Sequence, residues 1–258
     1  MPEHPNRLLV LVAAVALATV VVAGCAAGPP AAGSPVGAVG FLDAVIAQSP
    51  LEDGQALVTL PASMSGSNLL VAVAMGDGPG PGEVNAEAQH THLIDSAGHL
   101  WNQREHHIVF GSIIDVYTAP ANGREQGSTL SSELIIKGGD EGHCLTVLAY
   151  RNGRFHSTTS RNGNFGIPQL MQDAPAGADV LTAFGDGREN TPATPVTGFR
   201  PLNILPVDGG PRGDRDLYQL NRLDPPGSWP GGGMLTGNLA PQASGYWGLV
   251  NINITPAS

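Results

Sequence analysis

Basic side chains are scarce: 12 Lys and Arg stand against 22 Asp and Glu, for a formal charge of −10. This argues against a nucleic-acid partner, which is held through clustered cations. Lys137 is the only lysine against eleven arginines, a bias that with the abundance of Ala, Gly and Pro points to a GC-rich genome such as an actinobacterium's. Charged residues make up 13% of the chain and aromatic residues 5%. There are two cysteines, Cys25 and Cys144, too few for a disulfide framework. Long amphipathic helical periods are absent. So are Gly-x-Ser-x-Gly, Ser-x-x-Lys, His-Glu-x-x-His and the phosphate-cradling Gly-x-x-x-x-Gly-Lys, and no motif calls for a cofactor. A catalytic triad need not be local, so these absences lower the case for an enzyme without closing it.

Glycine and proline are plentiful, 35 and 22 in 258 residues, and both punctuate turns and disfavour helix interiors. Apolar runs of strand length recur between them: Phe41 to Ala47, Gln55 to Leu60, Asn68 to Met75, Ser112 to Tyr117, Thr129 to Ile136, His143 to Tyr150 and Asp179 to Phe184. The spacing predicts an all-β fold with less than ~15% helix. Asn68 to Met75 is apolar at seven successive positions, so both faces of that strand should be covered. In the last strand Val250, Ile252 and Ile254 share a buried face and leave Asn251, Asn253 and Thr255 in water. The expected core includes Leu69, Val71, Val73, Ile114, Val116, Leu145, Val147, Leu181, Val250 and Ile252. Asp95 to Gly98 is the best local turn and predicts a hairpin joining 91–94 to 99–102.

The chain opens with a short polar stretch carrying Arg7, an apolar run from Leu8 to Val22, and Val22-Ala23-Gly24-Cys25. Short flanks and small residues at the end of the run fit a secretory signal better than a permanent span, and Gly28, Pro29 and Pro30 would stop a helix soon afterwards. Small residues before a cysteine in this setting resemble the lipobox of bacterial lipoproteins. The resemblance implies that Cys25 is diacylated and becomes the mature N-terminus, so two acyl chains hold the protein on the extracytoplasmic face of the cell membrane. Ala26 to Ala38 is uncharged and built almost wholly of Ala, Gly, Pro and Ser. It reads as a tether with a reach of roughly 20 Å when coiled and roughly 40 Å when extended. The expected division is a signal peptide over 1–24, lipidated Cys25 and tether over 25–39, and one domain over 40–258.

The strand Asn68 to Met75, the turn from Asp95 to Trp101, the strand Ile113 to Tyr117 with Ala119 to Gly123 after it, and Gly245 to Pro256 occur in an order similar to that of bacterial extracellular and phage-associated β-sandwich modules. The resemblance covers roughly residues 40 to 258. It implies a single antiparallel, jelly-roll-like β-sandwich. It carries no functional residue, and fold alone does not assign function.

Five of eight histidines fall between His90 and His107. On a strand His90 and His92 share a face, and a third ligand would make them a zinc or copper site. The Glu that a cupin places four residues after the second His is absent, since position 96 is Ser. The expected outcome is that His90 and His92 face solvent without a metal. Asp208, Asp214 and Asp216, or Asp186 and Glu189, could offer oxygens to calcium, but EF-hand spacing is missing and Arg212 and Arg215 suggest surface ion pairs. Cys144 lies in a strand-like run and reads as a buried free thiol. Trp229, set among Pro and Gly, looks the most exposed of three tryptophans and is the one candidate ligand contact. Residues 193–233 read as a long loop, the first place to seek a binding surface.

The leading function is a membrane-anchored binding or interaction module of the cell envelope, for a protein or carbohydrate partner. A hydrolase or metal-dependent enzyme on the same scaffold, or a structural envelope protein, are the alternatives.

Overall fold

Strands supply every regular element among the described residues except one 3-10 turn, Ala62–Met64. The computed structural model describes residues 37–49, 55–77, 90–109, 112–135, 142–166, 168–186, 198–208, 215–236 and 243–257. All belong to the larger of the two units into which the chain divides, Ser34–Ser258. The expected signal segment and Cys25 lie outside the described residues, as do Glu189, Arg212 and Asp214. The chain runs through β1 (Gly40–Ser49), β2 (Gln55–Thr59), β3 (Leu69–Asp77), β4 (Thr91–Asp95), β5 (Asn102–Val109), β6 (Ser112–Pro120), β7 (Thr129–Leu134), β8 (His143–Arg151), β9 (Gly153–Gly166), β10 (Gln169–Met171), β11 (Asp179–Asp186), β12 (Phe199–Asp208), β13 (Arg215–Leu223), β14 (Met234–Thr236) and β15 (Ala243–Pro256).

All pairing is antiparallel. Sheet A has the order β1-β8-β3-β6-β5, a smaller sheet B the order β2-β7-β4, and sheet C the order β12-β13-β11-β15-β9; β10 and β14 form a two-stranded ribbon. Leu69, Val71, Val73 and Met75 of β3 pack with Leu181, Ala183, Leu220, Val250 and Ile252 of sheet C. Leu70, Ala72 and Ala74 on the opposite face of β3 pack with Ala56, Val58 and Leu130 of sheet B. Sheets A and C thus form the expected sandwich, and sheet B covers the other face of sheet A. That double cover explains the unbroken apolar run in β3. All ten expected core residues are buried.

Three local expectations are corrected. The turn after Asp95 closes no hairpin: β4 pairs with β7 in sheet B, whereas β5 pairs with β6 in sheet A, so the turn is a corner between layers. Residues 193–233 contain β12 and β13, both part of sheet C. Pro201 and Pro206 obscured β12 in the sequence, yet they suit its edge position, where a missing N–H costs little. The polar face of β15 is not wet: Asn251 and Asn253 are fully buried and Thr255 nearly so. Part of the cover comes from Gln172 beside β10, whose Nε2 donates to Asn253 Oδ1 at 2.8 Å.

Asn152 turns β8 into β9 with φ 55°, a left-handed conformation that Asn tolerates better than most residues. Its Nδ2 donates to Ala38 O at 3.2 Å, and its carbonyl accepts from Ala257 N at 2.9 Å. One residue therefore clasps the first and last parts of the domain.

Candidate functional site

Alternation along β6 sends Ile114 and Val116 into the core shared with sheet C, and so turns Asp115 and Tyr117 toward sheet B. Asp115 has no exposed surface. Its Oδ2 accepts from Thr91 N at 2.6 Å and from Thr91 Oγ1 at 2.8 Å. Its Oδ1 accepts from Gln103 Nε2 at 3.1 Å and lies 2.7 Å from His106 Nδ1. Tyr117 Oη donates to Thr91 O at 2.5 Å, joining β6 to β4 a second time. The hydrogen bond to Asp115 holds the His106 pKa above its ordinary 6.5 against partial burial. His106 Nε2 is buried and has no hydrogen-bond partner among the described residues.

Between the same two sheets, Ser132 Oγ contacts His143 Nε2, and both residues are fully buried. Burial pushes the His143 pKa down to about 4, so the ring is neutral at physiological pH, and its Nδ1 has no hydrogen-bond partner among the described residues. Gly76 opposite makes room for it, because a Cβ there would sit 3.1 Å from that nitrogen and 3.2 Å from Leu134. A Ser–His pair is the start of a nucleophilic constellation. Here it lies inside the layer, with Asp115 spent on other donors.

His90 and His92 separate. His92 is exposed on β4, while His90 is half-buried, its ring edge-on to that of His106 with centroids 6.3 Å apart. The expectation that both face solvent is corrected for His90, because pairing of β5 with β6 carries His106 beside it. Among the described residues no group of three His, Cys, Asp or Glu side chains is placed to hold a metal. Of the calcium candidates, Asp186 and Asp208 end β11 and β12, and Asp216 lies at the start of β13, where register sets Arg215 opposite Asp208.

The corner after β4 is locked by hydrogen bonds to two carboxylates. His99 Nδ1 lies 2.6 Å from Asp95 Oδ2, and Trp101 Nε1 donates to the same oxygen at 2.7 Å. His99 Nε2 faces Glu125 Oε1 at 3.5 Å, which also accepts from Asn122 N and Gly123 N at 2.7 and 2.8 Å. Partial burial raises both carboxyl pKa values, but these hydrogen bonds outweigh it and both end below their ordinary range.

Trp229 is buried, not exposed: it packs with Ala174, Ala178, Val180 and Leu223, edge-on to Phe199. The Pro and Gly around it shape a turn that folds the indole inward, so no aromatic platform stands there. Cys144 is a fully buried free thiol, its pKa pushed up to about 12 by burial.

Between sheets A and C, Asp179 and Arg222 are buried beside Tyr150. Among the described residues, both Asp179 oxygens, Arg222 Nε and Nη1, and Tyr150 Oη lack a well-formed hydrogen bond. The Arg222 guanidinium lies 3.6 Å from the centroid of the Phe41 ring, a favourable cation–π arrangement. Burial raises the Asp179 pKa to about 6, outweighing the Arg222 charge and the nearby Tyr150 hydroxyl and N–H groups of Gly227 and Val180.

The outer face of sheet B carries exposed aliphatic side chains. Register places Leu57, Ser131 and Ile94 in one row across β2, β7 and β4. Leu57 is 60% exposed, Ile94 47% and Ile135, just after β7, 49%. Ser131 between the first two is short and buried.

Comparison with known proteins finds no matching family model, no similar curated protein and no similar solved structure. Sequence reasoning missed Asp115, Ser132, His143 and Arg222 because their partners lie on other strands. Asp115 carried one available signal, a charge within a strand-length apolar run.

Proposed function

We propose that this chain is a lipid-anchored protein of the extracytoplasmic face of a bacterial cell membrane, acting as a binding or interaction module of the envelope. The lipobox-like sequence ending at Cys25 and the uncharged tether support the anchor. The observation that carries the binding role is the outer face of sheet B, where Leu57 on β2 and Ile94 on β4 are exposed on either side of β7, and Ile135 is exposed just after it. Single exposed aliphatics are ordinary, but neighbouring ones on a sheet face favour an interaction surface. A β-sandwich of the type found in extracellular and phage-associated modules is a suitable scaffold, and a protein segment is the partner that such a face fits.

Two measurements test this. Cys25→Ser should release the protein from the membrane fraction or leave its precursor uncut; an unmodified Cys25 in the intact mass of the wild type would refute the anchor. Photo-crosslinking in cells from position 57 or 94 should give a discrete adduct, and crosslinking from Met171, 61% exposed elsewhere, should not. Equal labelling from all three positions, or none, would refute the face.

A second reading, a hydrolase, is favoured by the Ser132–His143 contact. It requires labelling of Ser132 by a fluorophosphonate in the folded protein, and full burial of both residues argues against that result.

A further inference from the structure

A groove of about 360 Å³ opens between the β5 edge of sheet A and the β9 edge of sheet C. Its lining includes Asn68, Asn102, Arg104, Thr118, Arg154 and Phe155, and contains no Asp or Glu. In a chain with 22 acidic and 12 basic residues, a concave surface with two guanidinium groups and no carboxylate is a local reversal of charge. Neither Arg104 nor Arg154 forms an ion pair among the described residues, and both are exposed. Arg104 is held in place: its Nε donates to Thr118 Oγ1 at 2.8 Å, and its Cζ lies 4.9 Å from the centroid of the Phe155 ring. The wall carrying Arg154 is pinned by a reciprocal pair, Asn68 Nδ2 to Gly153 O at 2.8 Å and Gly153 N to Asn68 Oδ1 at 2.9 Å. Guanidinium groups without a carboxylate partner suit a phosphate or carboxylate ligand.

Position selects the ligand. Gly153 and Arg154 directly follow Asn152, whose side chain holds Ala38, so the chain enters the domain beside the groove. Only the residues Ala26 to Ala38 separate Cys25 from Val39. An acylated Cys25 would therefore keep the groove within roughly 40 Å of the leaflet that holds it.

Resting on the anchored reading above, we propose that the groove between Arg104 and Arg154 binds the phosphate of an anionic phospholipid in the leaflet that holds Cys25. The lipid would fix the orientation of the anchored domain. Charge complementarity favours this occupant, since basic residues close to an anionic leaflet are drawn to it while the net charge of −10 repels the rest of the surface.

The test uses the acylated full-length protein in nanodiscs of phosphatidylcholine, with or without phosphatidylglycerol, read by amide hydrogen exchange at residues 102–104 and 153–155. Phosphatidylglycerol should slow exchange at least about fivefold, the effect expected of one or two cations at an anionic surface. R104Q/R154Q should abolish the slowing, and R104K/R154K should keep part of it, which separates charge from packing on Phe155. Equal exchange in the two kinds of disc, or slowing that survives R104Q/R154Q, would overturn the proposal. Inorganic phosphate giving the same protection in phosphatidylcholine discs would overturn the lipid as the source. Intact mass separates the two readings: an unmodified Cys25 overturns both, whereas an acylated protein without lipid-dependent protection overturns only the groove.

Discussion

His106 Nδ1 lies 2.7 Å from Oδ1 of Asp115, a carboxylate with no exposed surface that also accepts from Thr91 and Gln103. The pair ties the edge strand β5 to β6. Because the folded pKa of His106 is raised above 6.5, its charge-dependent contribution is complete below 6.5 and fades as pH rises through the folded value. His106→Ala should therefore destabilise more at pH 6 than at pH 8.5 in urea titrations. Asp115→Asn should cost about 2–4 kcal/mol, since it weakens several buried bonds at once. An equal loss for His106→Ala at both pH values would refute the ionic part.

Arg222 and Asp179 make a second pH prediction of the same sign. The folded pKa of Asp179 is raised from 3.8 to about 6, so its contribution is present below 3.8 and lost as pH rises through about 6. Arg222→Met strands the carboxylate and should cost about 3–5 kcal/mol at pH 8. At pH 5, where Asp179 is largely protonated, the cost should be smaller. Thermal unfolding at both pH values measures it.

Asn251 offers a stabilising change. It is fully buried on β15, and neither side-chain polar atom has a hydrogen-bond partner among the described residues. Asn251→Leu should raise stability by about 1–2 kcal/mol by removing that desolvation cost. A lower Tm in the variant would show that the amide is bonded in solution.

Cys144 should be inert in the folded protein. With its thiol pKa pushed up to about 12 and no exposed surface, a thiol reagent at pH 8 should react only after unfolding. If Cys25 is acylated, one thiol per unfolded chain should then titrate.

The strand pattern was legible wherever a segment is apolar on one or both faces: β3, β6, β8 and β11 fall close to their expected positions. β9 and β13 were not, because Ser, Thr, Asn and Arg fill positions that tertiary packing buries or that face water. The Asp95 turn illustrates a different limit. Local chemistry specifies a reversal at Gly98, but whether the strands beyond it pair depends on which sheet each joins. Of the candidate site, the histidine cluster was visible and its geometry was not, since pairing of β5 with β6 brings His106 to Asp115 and beside His90.

The clasp at Asn152 nearly closes the domain into a ring, with Ala38 and Ala257 held by the same residue. A short Gly/Ser link between those two points should therefore allow the backbone to be reopened elsewhere. Such a circular permutant should keep its fold, because neither join nor cut needs to cross a layer.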